Sequence, residues 1–281
     1  MSFSVSKERP LVLVGAGKMG GAMLQGWLAK GLPDGAVHVL DPGLDEAQRD
    51  KLRSQGVAVH DAPDEVPTPA LLILAVKPQM MAKVLPGLSA FAARSDAPDM
   101  IVLSVAAGTT IDTLAGTFGS DALLIRAMPN TPALVGRGVT ALFPAHPLSD
   151  DRKAFIADLM TAIGTTVWVD SEAAIDAVTA VSGSGPAYVF HLVEAMAAAG
   201  KKLGLPEDVA MILARETVSG AGELLHQSSD SAETLRVNVT SPKGTTAAGL
   251  EVLMADDGLP ALIEQTIRAA HRRAIELGRE G

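Results

Sequence analysis

The sequence predicts an α/β fold with a doubly wound, mostly parallel sheet in its first part and an all-helical domain in its second. Three observations carry this. Up to about Asp170, short β-branched runs alternate with amphipathic stretches, as in strands joined by crossover helices. A glycine-rich turn separates the first of these runs from a helical stretch. After Asp170 the β-rich runs stop, and helical periodicity continues to the end of the chain.

The expected strands are Leu11–Val14, Val37–Leu40, Ala70–Val76, Met100–Val105, Leu123–Arg126, Val139–Phe143 and Thr166–Val169. The run Ala70-Leu-Leu-Ile-Leu-Ala-Val76 does not alternate in polarity, which suits a central strand covered on both faces. Lys77-Pro78 cuts it too short for a helix. From Ser171 onward, Pro186 opens a helix that runs to Lys202 and is stopped by Gly204. A second begins at Pro206 and passes Leu225, a third covers Thr245 to Met254, and the last runs from Leu259 to about Leu277. The division is therefore 1–170 and 171–281. Periodicity alone fits both a subunit interface and a monomeric bundle core for the helical part.

The turn after the first strand reads Gly15-Ala16-Gly17-Lys18-Met19-Gly20, and a helix follows to Lys30. Strand, glycine turn and helix in this order form a Rossmann-type dinucleotide site. The glycines allow a tight turn, approach of a pyrophosphate to backbone N–H groups and close helix–strand contact. The helix N-terminus then faces the negative charge. Asp41 ends the second strand 21 residues past Gly20, where a carboxylate meets an adenine ribose; this favours NAD over NADP. Before Pro42-Gly43 it serves equally as a turn former.

Composition excludes other chemistries. The 281 residues include no Cys, so there is no disulfide frame, thiolate metal site or cysteine nucleophile. His38, His60, His146, His191, His226 and His271 are scattered without a helical i, i+4 pair to seat a metal. Ser182-Gly183-Ser184-Gly185-Pro186 opens a helix and is not a strand-to-helix nucleophile elbow. A net charge of −9 without a basic run argues against nucleic acid. The opening MSFSVSKERP lacks the apolar core of a signal peptide, and no apolar run nears a membrane span, so a cytoplasmic location is expected.

Four segments together resemble the pyrroline-5-carboxylate reductase family: Gly15 to Gly20, Ala75-Val76-Lys77-Pro78, Ser182-Gly-Ser-Gly-Pro-Ala-Tyr188 and Val239-Thr-Ser-Pro-Lys-Gly-Thr-Thr246. The resemblance implies reduction of the cyclic imine Δ1-pyrroline-5-carboxylate to L-proline by NADH or NADPH, the last step of proline biosynthesis. It implies that the helical domain serves dimerisation, in intertwined dimers that assemble into larger rings. Gly15, Ala16, Gly17, Lys18, Met19, Gly20, Ala75 to Pro78 and Ala106-Ala107-Gly108 fall on its cofactor segments. Asn238 falls on a residue touching both ligands, and Glu172, Ser241, Gly244, Thr245 and Thr246 on substrate-contacting positions. Thr246 would hydrogen-bond the ring nitrogen, and Glu172 would favour the cationic imine by charge. Taken alone, Glu172 reads as an exposed first-turn helix acid. Three positions depart from the family: Lys243 stands where Gly is usual, Ala62 where Asn is common, and Asp41 bears on the choice of cofactor.

Two alternatives share parts of this pattern. An imine reductase or 3-hydroxy-acid dehydrogenase would keep the glycine turn, and an alcohol-acting enzyme needs a helical-domain base such as Lys201 or Lys202. A non-catalytic dinucleotide-binding regulator would keep Gly15 to Gly20 and need nothing at Thr245-Thr246.

Overall fold

The computed structural model describes residues 3–33, 35–94 and 99–280. The chain divides into two compact units, 1–183 with 271–281, and 184–270. In the first, eight strands form one sheet in the order β3-β2-β1-β4-β5-β6-β7-β8. They are β1 (Leu11–Val14), β2 (Val37–Leu40), β3 (Ala58–His60), β4 (Leu71–Leu74), β5 (Ile101–Ser104), β6 (Leu123–Met128), β7 (Gly138–Pro144) and β8 (Gly164–Trp168). All pairings are parallel except β6 with β7. Residues 129–137 between those two hold only a 3-10 turn, Thr131–Val135. That is too little chain for a parallel crossover, so the strand must return antiparallel.

Strand β1 shows why its run is apolar throughout. Leu11 and Leu13 join a core with Met23, Trp27 and Ile73, whereas Val12 and Val14 join another with Leu72, Leu88 and Phe91. Helices α1 (Lys18–Ala29), α2 (Glu46–Ser54) and α5 (Asp150–Met160) contribute to the first core. Helices α3 (Pro78–Ala92) and α4 (Ile111–Phe118) contribute to the second. Trp27, wholly buried, satisfies its indole N–H on the Leu159 carbonyl at 3.1 Å. Strand β3 was not among the expected strands: it has three half-buried residues at the sheet edge, too few to show alternation. There the His60 and His38 rings share a 2.9 Å Nδ1–Nε2 contact, and burial holds both below the ordinary histidine pKa.

The first unit continues past 170. Helix α6 (Glu172–Val178) and a π-turn, Thr179–Gly183, stay with the sheet. Ile175 is buried, and Arg126 of β6 pairs with Glu172 and Asp176. Asn130 holds the π-turn by donating Nδ2–H to the Ser182 carbonyl at 3.1 Å, while its Oδ1 accepts the Val139 N–H at 2.9 Å.

The second unit comprises α7 (Gly185–Lys202), α8 (Glu207–Gln227), α9 (Ala232–Asn238), α10 (Thr245–Leu253) and the first half of α11 (Leu259–Glu280), whose residues from His271 belong to the sheet unit. Gly204, at φ +97°, ends the turn after α7. Helices α7 and α8 meet through small residues: a Cβ at Gly200 would lie 3.3 Å from that of Ala210. Helix α9 was not expected; with seven residues, none of them buried, it is too short to show a helical period. Among the described residues, no helix is long and apolar enough to cross a membrane.

Candidate active site

The strand order reverses between β1 and β4, and at such a switch point an α/β sheet opens a crevice beyond its strand ends. Two of the expected cofactor segments leave the sheet there. Gly15 turns the chain at φ +90°, and a Cβ at this position would come within 3.0 Å of the Ala75 carbonyl oxygen and the Val76 side chain. A Cβ at Gly20 would overlap the Gly15 carbonyl oxygen, so the helix can lie against the turn only without a side chain. Gly17 faces open space. It is also the N-cap of α1 and supplies no side-chain bond to the first-turn N–H groups, which begin at Lys18 and Met19. These features fit a pyrophosphate. A cavity of about 490 Å³ extends from here, lined by Gly15, Gly17, Asp41, Asp61, Ala75, Val76 and Lys77 among others, and Pro78 opens α3 beside it.

Asp41 has two bonds in this corner. Its Oδ2 accepts the Ala16 N–H at 2.8 Å and its Oδ1 the Gly43 N–H at 2.9 Å. The carboxylate thus ties the Pro42-Gly43 turn to the glycine loop while lining the cavity. Asp61, a second lining carboxylate, receives Arg49 at 2.6 Å, and Arg49 also donates Nε–H to the Leu44 carbonyl.

The third expected cofactor segment, Ala106-Ala107-Gly108, follows β5. The Ser104 Oγ accepts the Ala106 N–H at 3.3 Å. Gly108 has φ +75°, and a Cβ there would lie 3.3 Å from the Leu277 carbonyl oxygen. Where this loop enters α4, the Ile111 N–H donates to Glu172 Oε1 at 2.8 Å. The same oxygen accepts Arg126 Nη1 at 2.7 Å. Glu172 is a first-turn acid, as expected, but half-buried rather than exposed, and it shares the Arg126 guanidinium with Asp176. Arg126 was missed because its partners lie 46 and 50 residues away and a strand pattern does not show which way a lone Arg turns.

The remaining expected residues lie in the helical unit. Asn238 ends α9 and is exposed. Ser241 accepts the Gly244 N–H through its carbonyl at 3.0 Å, closing a turn into α10. Gly244 is the N-cap and gives no side-chain bond, so the first N–H groups of α10 face outward beside exposed Thr245 and Thr246. Lys243 has φ +61°, the one non-glycine positive φ among the described residues, which explains a general preference for Gly there. Lys201, considered as a base, sits in the last turn of α7 and pairs with Glu207. Among the described residues, no group of three His, Asp or Glu is placed to hold a metal.

Residues 172–277 match the model for the pyrroline-5-carboxylate reductase dimerisation family, and residues 10–108 that for the coenzyme F420-dependent NADP oxidoreductase family. The chain is 37% identical to the pyrroline-5-carboxylate reductase of Pseudomonas aeruginosa, covering 96% of this chain and 97% of that one. It is 39% identical to that of Haemophilus influenzae, with 96% and 98% covered. Among solved structures, the Coxiella burnetii pyrroline-5-carboxylate reductase aligns with a TM-score of 0.87 at 32% identity, over 96% of this chain and 98% of that one. The Plasmodium falciparum pyrroline carboxylate reductase with NADP bound aligns at 0.77 and 25%, over 97% and 99%.

Proposed function

The chain belongs to the pyrroline-5-carboxylate reductase family, and from that premise we propose how its residues divide the reaction. It is an NAD(P)-dependent oxidoreductase acting on a CH–NH group, which reduces the C=N bond of Δ1-pyrroline-5-carboxylate to give L-proline in proline biosynthesis. Its helical part serves self-association.

Residues 1–170 act as the dinucleotide-binding domain and 171–281 as the dimerisation and substrate domain, a division by role that differs from the compact units. Gly15 to Gly20, Ala75 to Pro78, Ala106 to Gly108 and Asn238 hold the cofactor; the glycine turn at the switch point, with its uncapped helix, is the observation that carries this reading. When bound, the reduced nicotinamide supplies a hydride to the imine carbon. The protein's own part is to orient and to exclude water. The N–H groups at the start of α10, with Ser241, Gly244 and Thr245, bind the substrate carboxylate. The Thr246 hydroxyl hydrogen-bonds the ring nitrogen as it becomes an amine, and Asn238 touches both ligands. Glu172, already paired, supports this site indirectly. Asp41 at the adenosine end opposes a ribose phosphate and favours NADH, whereas Asp61 is paired with Arg49. The enzyme works in the cytoplasm, without nucleic acid, as a ring of dimers.

The test is nucleotide oxidation with pyrroline-5-carboxylate and each nicotinamide in turn. Proline should form, with NADH used better than NADPH, and Asp41→Ser should move the ratio of kcat/KM values toward NADPH. No proline with either cofactor overturns the activity. An unchanged ratio leaves Asp41 a turn residue only.

A further inference from the structure

We infer that Glu172 is a positioning residue: through the Ile111 N–H and the Arg126 guanidinium it fixes the Ala106–Thr110 loop against which the cofactor is held. This rests on the reading that Ala106 to Gly108 contact the cofactor.

A helix leaves its first N–H groups without intrahelical partners. At the start of α4 the Thr110 hydroxyl takes the Thr113 N–H at 3.1 Å, and the Ile111 N–H is taken by Glu172, 61 residues further on, at 2.8 Å. Glu172 is itself held. Its Oε1 also accepts Arg126 Nη1 at 2.7 Å, while Arg126 Nη2 reaches Asp176 Oδ1 at 3.3 Å. Arg126 is only 5% exposed, and a guanidinium so buried requires its carboxylates. Arg126 is also the sheet neighbour of Ser104, whose hydroxyl accepts the Ala106 N–H at the loop's other end. In between, Gly108 lies against the Leu277 carbonyl at the end of α11. The loop therefore has three anchors, and only the Glu172 anchor can be removed without altering the loop, its strand or its glycine.

The same contacts separate positioning from charge stabilisation of the substrate. Arg126 is shared by Glu172 and Asp176, so the cluster keeps a net negative charge, and the two roles differ in what a neutral amide can replace. If Glu172 acted by charge, Glu172→Gln would lose as much as Glu172→Ala, and cofactor affinity would not change. If it acts by position, Glu172→Gln keeps an amide oxygen for the Ile111 N–H and rescues much of the loss.

The experiment uses the full-length protein and both variants, with hydrogen exchange of the 105–112 backbone measured without cofactor, NADH affinity by nucleotide fluorescence, and steady-state kinetics. Glu172→Ala should speed exchange across 105–112 and weaken NADH binding by about tenfold each, the scale of one bond to a charged acceptor, with the rise in KM for NADH exceeding any fall in kcat. Glu172→Gln should recover most of both effects. If Glu172→Ala does not fold, the isosteric Glu172→Gln alone should still raise exchange at 105–112 by about threefold over the rest of the sheet unit. Unchanged exchange and NADH affinity with a lowered kcat, or equal losses in the two variants, overturn the inference. Wild-type protein that binds NADH but forms no proline would instead defeat the functional reading, leaving the exchange result to decide the loop anchor.

Discussion

The largest wholly buried side chains, among them Trp27, Phe91, Met23, Leu72 and Ile101, all belong to the sheet unit. In residues 184–270 the buried hydrophobic residues are alanines, Ala197, Ala210 and Ala214, while Phe190 is 65% exposed, Ile212 60% and Leu224 65%. One region fills its core with its own helices on both faces of a sheet. The other spends the same kinds of residue on its surface. Fully burying one such side chain contributes roughly 1.5–3 kcal/mol, so a surface with many of them left in water represents a large unused stabilisation. A helical unit of this composition is half of a core, and a second copy of the chain completes it, in keeping with the match to a dimerisation family over 172–277.

The strongest way to break this comparison is to spoil one surface of each kind. Ile212→Asp places a charge among the exposed apolar side chains of α8, and sedimentation should show that the assembly dissociates. Leu72→Ala, in the wholly buried strand β4, should cost about 2–5 kcal/mol of stability from its cavity, while the folded protein keeps its assembly size. If Ile212→Asp sediments as the wild type does, that face of α8 lies outside the interface.

Next come the two proposed ligand segments, one in each unit. Gly20→Ala puts a methyl group into the Gly15 carbonyl, so the turn must open, and NADH binding should become undetectable by fluorescence titration while the assembly persists. Thr246→Ala should lower kcat/KM for the imine about ten- to a hundredfold, the value of one hydrogen bond to a charged group of roughly 1.5–3 kcal/mol, with NADH affinity nearly unchanged. Equal weakening of NADH binding by Thr246→Ala would make this threonine structural.

The two regions also differ in how far their sequence reveals them. Leu11–Val14, the glycine turn and α1 are local: apolar run, Gly spacing and amphipathic helix follow one another within 20 residues, and each implies the next. The reversal of β7 was equally legible, since the expected strands Leu123–Arg126 and Val139–Phe143 leave only residues 127–138 between them, about the minimum for a crossover with its helix. What stays hidden is set by contacts between distant residues. The Arg126, Glu172 and Asp176 cluster brings three separated charges together, and a sequence pattern shows charges without their partners. In the helical unit, exposure inverts the usual inference: α9 has no buried residue, and only its half-buried Leu235 and Arg236 mark an inner side.

The smallest effect concerns Lys243, and it tests whether the substrate loop accepts strain for a purpose. A side chain at φ +61° costs about 1–2 kcal/mol relative to glycine. Glycine recovers this but loses more conformational freedom on folding, so the net gain for Lys243→Gly is about 1 kcal/mol, or a rise of roughly 2–4 °C in Tm. Lys243, however, directly precedes the N-cap of α10, where a substrate carboxylate would bind, and an exposed charge beside such a site contributes roughly 0.3–1 kcal/mol. Lys243→Gly should therefore be more stable and yet show a KM for the imine raised about two- to fivefold at low salt, a difference that shrinks as salt screens the charge. Lys243→Arg keeps both charge and strain and should leave KM near the wild-type value. If Lys243→Gly gains stability with no salt-dependent change in KM, the strained lysine contributes nothing to substrate capture, and the loop would work equally well with the glycine that its backbone prefers.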